Sequence, residues 1–173
     1  MSVRQIALCS LYAALTAVLA QIALPIGLVP INLATLAVLL AGVVLGAELG
    51  ALSQLIYLLL GACGAPVFAF FSGGLGILTG PTGGFIVGYV VAAWLVGIIT
   101  AGSINSRGRL LLGLIVGACS YFALGSIWFM LSTAASWQQT AAVCVLPFLP
   151  GDVAKIAAVM SLAPRLVRKS SIR

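Results

Sequence analysis

Hydrophobic positions dominate this chain in six runs, at 6–24, 33–46, 49–60, 83–100, 110–131 and 153–167. Shorter stretches between them carry most of the charge, glycine and proline. The longer runs approach the roughly 20 apolar residues that a helix needs to cross a bilayer core. Backbone N–H and C=O groups in lipid must be satisfied within the protein, which favours helices for runs of this length. The pattern predicts an all-α integral membrane protein, with residues 1–173 forming a single transmembrane domain.

Two places are ambiguous. Residues 33–60 can form one helix through Glu48, or two short ones joined at Gly46-Ala47-Glu48. Residues 61–82 can cross the membrane or fold back. The basic residues separate these options. With a turn at 46–48 and no crossing at 61–82 there are six spans. Arg4, Arg107, Arg109, Arg165, Arg168, Lys169 and Arg173 then share the side of both termini, and only Lys155 lies opposite. Fusing the two short runs moves Arg107 and Arg109 across from Arg4, against the tendency of Lys and Arg to stay cytoplasmic. The expectation is therefore six transmembrane helices with both termini cytoplasmic. The second helix is short: its run of 14 residues, at about 1.5 Å each, covers roughly 21 Å of a ~30 Å hydrocarbon core. Short helices leave room for irregular backbone at membrane depth, which is tolerated where it is buried in protein or lines a cavity.

Residues 61–84, GACGAPVFAFFSGGLGILTGPTGG, contain eight glycines and two prolines. Proline forbids a continuous helix and glycine permits tight turns, yet the segment is too apolar to float in water. It is expected to fold into the outer mouth as a re-entrant loop between the third and fourth helices. Gly83-Gly84 lead into the fourth helix, so unbonded N–H groups are expected to point from its start toward that mouth. Tight helix packing is the other use for such glycines. Residues 25–32, PIGLVPIN, form the first outer loop, and Asn32 and Thr35 give the second helix a polar start, with Asn32 a candidate N-cap.

Composition agrees with a membrane protein and narrows the functions. Hydrophobic residues make up 63% of the chain, charged residues 6%, and histidine is absent, whereas a soluble domain is about a quarter charged. The net charge of +6 does not indicate nucleic acid, because no basic stripe is interleaved with aromatics. Cys9, Cys63, Cys119 and Cys144 are widely spaced, with no C-x-x-C and no histidine to complete a metal site. They are expected to be buried thiols that pack as small apolar residues. The first run imitates a signal peptide but exceeds the usual apolar core of one, so it is read as a retained helix. Catalysis lacks its parts: there is no histidine, no carboxylate pair, no G-x-S-x-G and no metal set. GPTGG lacks the Lys and Ser/Thr that complete a phosphate loop. A capture protein without cofactor, energised by others, is expected rather than an enzyme.

Residues 147–156 read PFLPGDVAKI. The chain's two acidic residues are Glu48, expected to be solvated in its turn, and Asp152, which stands three positions before Lys155. About one helical turn apart, Asp152 and Lys155 share a face. They can cap the helix and neutralise each other. Ionisable residues near membrane depth are also rare, face the interior or a cavity, and mark substrate sites. In the six-span topology the pair lies on the outer side, with 25–32 and 61–84.

Together, VPINLATLAVLLAGVVLG (29–46), YLLLGACGAPVFAFFSGGLGILTGPTGGFIVGY (57–89) and PFLPGDVAK (147–155) resemble BioY, the biotin-binding S component of energy-coupling factor (ECF) transporters. The most specific part is G-x-P-V-F followed by S-G-G-L-G and G-P-T-G-G. Where the family usually reads V-P-x-T-L-Q-T-L, this chain has Asn32 for the first Thr and Ala34 for the Gln. The resemblance implies a six-helix protein in the lipid of a bacterial cytoplasmic (inner) membrane that binds biotin on its outer side and docks onto a T component coupled to two ATPase subunits. Ala13 and Ala17 match the A-x-x-x-A docking motif of S components, although small-x-x-x-small also serves ordinary helix packing. Asp152 is then expected to accept from the urea N–H groups while Lys155 donates to the urea carbonyl or neutralises Asp152. The reverse, with Lys155 on the biotin carboxylate, is left open. Tyr57, Phe68, Phe70 and Tyr89 are candidates to cover the apolar ring and chain. Asn32, Thr35, Gly74, Thr82, Gly83 and Gly84 complete the expected ligand-binding set. The alternatives are an S component for another vitamin, such as riboflavin or thiamin, and a non-transporting membrane scaffold or channel.

Overall fold

The structure, a computed structural model, is described for residues 1–25, 28–102 and 106–169, with residues 168 and 169 by backbone alone. Its helices are α1 (Val3–Gln21), α2 (Ala34–Leu45), α3 (Ala47–Ala62), α4 (Leu75–Thr79), α5 (Gly83–Thr100), α6 (Arg107–Thr133), α7 (Trp137–Cys144) and α8 (Leu149–Lys169). All six apolar runs become helices, and α4 and α7 are additions. A two-residue hairpin joins α1 to α2: β1 (Ala23–Leu24) pairs antiparallel with β2 (Ile31–Asn32), Ala23 opposite Asn32. One 3-10 turn covers Ala69–Phe71.

Local chemistry places the helix ends. Ser2 and Gln5 form a capping box, so α1 starts before its apolar run and stops at Gln21, leaving Ala23 and Leu24 to the hairpin. Gly46 has φ +83° and ψ −176°, a conformation open essentially to glycine alone. It separates α2 from α3, and the two-helix alternative for 33–60 holds. A second capping box, Ser136 with Gln139, starts α7. Pro150 falls in the first turn of α8, where its missing N–H costs nothing.

Helices α1, α5 and α6 are long and apolar enough to cross a membrane, and α7 with α8, bent by 49°, count as a fourth if taken as one span. α2 and α3 are shorter apolar helices of 12 and 16 residues. Every residue of α2 except Leu36 is buried, as suits a helix apolar on all sides. It is the central helix, packed by α1, α3, α5 and α8, while α5 and α6 lie against each other along their length.

The core divides into two clusters. One gathers Tyr12, Leu39–Leu45, Leu110, Leu114, Val159 and Ala163, with Leu8 and Val167 at its margin. Arg4, Arg107, Arg109 and Arg165 all adjoin these positions in the chain, so four basic residues gather at one end of the bundle. Arg168 and Lys169, as side chains, and Arg173 lie outside the described residues. The other cluster holds Ala20, Val29, Tyr57, Phe68, Phe85, Tyr89, Tyr121 and Phe148, at the end where Lys155 sits.

Two expectations are corrected here. Cys9 and Cys144 are buried, but Cys63 and Cys119 are exposed. Cys63 ends α3, and Cys119 faces outward on α6. The outer face of such a helix is itself apolar, as exposed Leu112 and Ile115 show, so a thiol is at home there without burial. Ala13, expected on a docking face, is 2% exposed and belongs to the core, and Ala17 packs against that core. The outward face of α1 carries Ala7, Ser10, Leu11, Ala14 and Val18 instead. Glu48 is exposed in the first turn of α3, where the helix dipole favours a carboxylate.

Candidate functional site

A cavity of about 400 Å³ opens between the hairpin loop, the Gly/Pro-rich segment and the helices beneath them. Val29, Pro30, Asn32 and Thr35 line it from the α1–α2 connection and the start of α2. Phe68, Phe70, Ser72, Ile77 and Thr82 line it from the segment between α3 and α5. Tyr57, Phe85, Ile86, Tyr89, Tyr121, Phe148 and Lys155 line it from the helices. Such a volume falls within the range of roughly 300–1,000 Å³ usual for small-molecule sites.

Aromatic rings form its walls. Tyr57 meets Phe68 edge to face at 5.5 Å, and Tyr89 meets Tyr121 likewise at 6.1 Å. Phe85 stacks on Phe148 at 6.3 Å. Each pair adds to the gain from area burial and fixes the shape of the wall. The Phe68 ring itself lies where a side chain at Gly61 would stand.

One corner is polar. Lys155 Nζ donates to Asp152 Oδ1 at 2.7 Å and to Thr35 Oγ1 at 2.9 Å. The Tyr121 hydroxyl donates to Asp152 Oδ2. Asp152 and Lys155 are 5% and 6% exposed, so the pair is closed from water. Beside it Asn32 Oδ1 accepts from the Ala34 N–H at 3.0 Å, and Asn32 and Tyr89 both line this part of the cavity. Asn32 thus caps the entry to α2, one position before the helix boundary. An ammonium has three donors. Two are taken, which leaves one for the cavity that Lys155 lines.

The segment between α3 and α5 is pinned to α1 by one side chain. Gln21 Nε2 donates to the carbonyls of Val67 and Phe68 at 3.2 and 3.1 Å, and its Oε1 accepts from the Phe71 N–H at 2.8 Å. That clamp supports two left-handed phenylalanines in a row, Phe70 (φ 59°) and Phe71 (φ 55°), each a conformation costing about 1–3 kcal/mol. Phe71 is 72% exposed and Phe70 51%, and of the two only Phe70 lines the cavity.

Asn32, Thr35, Tyr57, Phe68, Phe70, Thr82, Tyr89 and Lys155, all expected at the site, meet around this one cavity. Four expectations end elsewhere. Asp152 does not line the cavity, because Tyr121 and Lys155 take its two oxygens. The Gly74 N–H donates to the Gly61 carbonyl at 2.6 Å and ties the segment to the end of α3. A side chain at Gly83 would strike the Leu78 backbone, and one at Gly84 would strike Trp128, so both serve close packing. The start of α5 does not present a set of free donors either: the N–H groups of Gly83 and Phe85 bond the carbonyls of Gly80 and Thr82, each at 3.1 Å. Ala34, in place of the family Gln, is fully buried.

Tyr121, Phe85, Ile86 and Phe148 escaped the sequence reading. Tyr121 carried a usable signal: a hydroxyl in the middle of an apolar run needs a buried partner, and few partners exist in a chain with two acidic residues. The other three are indistinguishable from core by residue type.

The BioY family model matches residues 1–171. A probable biotin transporter BioY of Pyrococcus horikoshii is 40% identical over 167 residues, covering 96% of this chain and 98% of that one. The biotin transporter BioY of Rhodobacter capsulatus is 39% identical over 168 residues, covering 88% and 87%. The crystal structure of an S-component for biotin from an ECF-type ABC transporter superposes with a TM-score of 0.83 at 26% identity, over 96% of this chain and 92% of that one.

Proposed function

We propose, on the premise that this chain belongs to the BioY family, that it is the biotin-capturing S component of an ECF-type transporter and serves biotin uptake. The observation that carries this reading is the cavity itself: aromatic walls with one closed polar corner at Lys155, Asn32 and Tyr89. Biotin suits it, since its fused ring and chain are apolar and its urea and carboxylate are polar. Tyr57, Phe68, Phe70 and Phe85 cover the apolar part, and the free donor of Lys155 meets an acceptor oxygen of the ligand.

The finer reading is a membrane protein of six helices, with α2 and α3 as short spans and α7–α8 contributing the last. The four arginines at one end support a reading with both termini in the cytoplasm, in which the cavity faces outward. The segment 61–82 forms its re-entrant outer wall. ATP-driven transport would draw its energy from a T component and two ATPase subunits, since the chain itself has no phosphate loop. Docking uses the outward face of α1, where Ala7, Ser10 and Ala14 allow another helix to approach closely.

Titration of purified protein with labelled biotin tests the reading. Saturable binding at one site per chain is expected, undisturbed by excess riboflavin or thiamin. Absence of saturable biotin binding, or displacement by either competitor, overturns it.

A further inference from the structure

The cavity has one cation and two unlike ends. Among the described residues, Lys155 is the single basic side chain that lines it. The described arginines, Arg4, Arg107, Arg109 and Arg165, adjoin the core cluster at the opposite end of the bundle. Nor is Lys155 a spare charge. Its ammonium lies 2.7 Å from Asp152 Oδ1, and both residues are buried, so the closed corner carries no net charge. Around such a pair the attraction of the cation for a further anion is largely cancelled by the repulsion of its carboxylate. A second carboxylate brought into the corner would also lose its water, with one ammonium to serve two anions. A neutral polar group meets neither obstacle. The ammonium keeps one donor, and the Asp152 carboxylate keeps unused lone pairs. The corner therefore offers donor and acceptor side by side, which is what a urea requires.

The other end is apolar and open. Leu28 and Phe70 are 64% and 51% exposed, and with Pro25 and Pro81 they line the cavity where it meets the surface. The Ser72 hydroxyl donates to the Ala69 carbonyl at 2.7 Å. The Gly83 and Phe85 N–H groups at the start of α5 are bonded to backbone carbonyls. No charged group among the described residues stands there to hold a carboxylate, so an anion at this end keeps its water.

We propose that the site admits neutral amides of biotin as well as the free acid: the Asp152–Lys155 corner takes the urea, and the carboxylate end lies at the open side, where its charge is not read. The inference rests on the biotin-binding reading and deepens it by naming the substrate class. That class is a bicyclic urea on an apolar chain whose terminal acyl group is either free or capped as an amide.

Titration of the purified protein with biotin, with its primary amide and with its N-methyl amide tests this. The primary amide nearly matches the carboxylate in size and removes its charge. Both amides are expected to bind within about threefold of biotin. A loss of about tenfold or more with either amide, the size expected for a lost hydrogen bond to a charged group, overturns the proposal. Lys155→Met gives a second readout. It is expected to lower affinity for biotin and for the primary amide by the same factor, because the ammonium meets the urea that both share. A larger loss for biotin than for the amide puts Lys155 on the carboxylate and overturns the proposal as well. If Lys155→Met does not fold, the three titrations of the unaltered protein decide. Failure of the unaltered protein to bind biotin removes the capture function and this proposal together. Binding of biotin with refusal of its amides leaves the capture function standing and removes this proposal alone.

Discussion

Lys155 holds an ammonium in a corner closed from water, with Asp152 and Thr35 on two of its three donors. Removing the ammonium while keeping an unbranched stem, as in Lys155→Met, should weaken biotin binding by about 1.5–3 kcal/mol, on the order of tenfold or more in affinity. Isothermal titration reads that change directly. Asp152→Asn instead leaves the ammonium buried without its counter-charge, which is expected to destabilise the fold by about 3–5 kcal/mol. The double variant, Asp152→Asn with Lys155→Met, removes the stranded charge, so thermal unfolding should return toward the original temperature while biotin affinity stays low. Recovery of affinity in the double variant would show that the pair serves only itself. At this scale the sequence exposed the pair, because charge is so rare in the chain. It did not reveal that Tyr121 joins the pair from α6, since that depends on a hydroxyl 31 positions away in sequence.

At the scale of elements, α1 has two faces with different duties. Ala13 is in the core and Ala14 is exposed, although they are adjacent in sequence. Ala13→Trp is therefore expected to unfold the protein or sharply lower its unfolding temperature, by overpacking. Ala14→Trp should leave stability and biotin affinity near their original values and weaken co-purification with the T component. Equal association by Ala14→Trp and the unaltered chain would exclude this face from docking. The far end of α1 reaches the site through Gln21, whose amide holds residues 67–71 by three hydrogen bonds. Gln21→Leu leaves those backbone groups unpaired and the two left-handed phenylalanines unsupported. Faster amide exchange across 67–72 is expected, with quicker biotin release. An unchanged exchange rate would show that the segment holds its own shape. The helices themselves were legible from apolar runs. The one-residue distinction between Ala13 and Ala14 was not, because a motif of small residues does not say which face turns inward.

For the whole molecule, the basic end and the cavity end are opposite. In a variant stripped of its other cysteines, Cys63, exposed at the end of α3, should react with a membrane-impermeant reagent applied to intact cells. A cysteine introduced at 107 should not. Labelling at 107 from outside would invert the topology and with it the direction of capture. The sequence by itself determined the class of the protein: long apolar runs, scarce charge and a basic bias between runs are properties of each segment alone, so they survive without knowledge of the fold. The charge bias along the chain also favoured a break at 46–48, and the structure makes it with a glycine at φ +83°. The tertiary structure alone decided what depends on contact between distant segments. It buried α2 at the centre. It assigned Gly83 and Gly84 to packing rather than to ligand, because Leu78 and Trp128 already fill the space beside them. It brought Tyr121 to Asp152. Local pattern reports how much a residue prefers to leave water, whereas the choice of partner is made by the packing of whole helices, which no single stretch of sequence encodes.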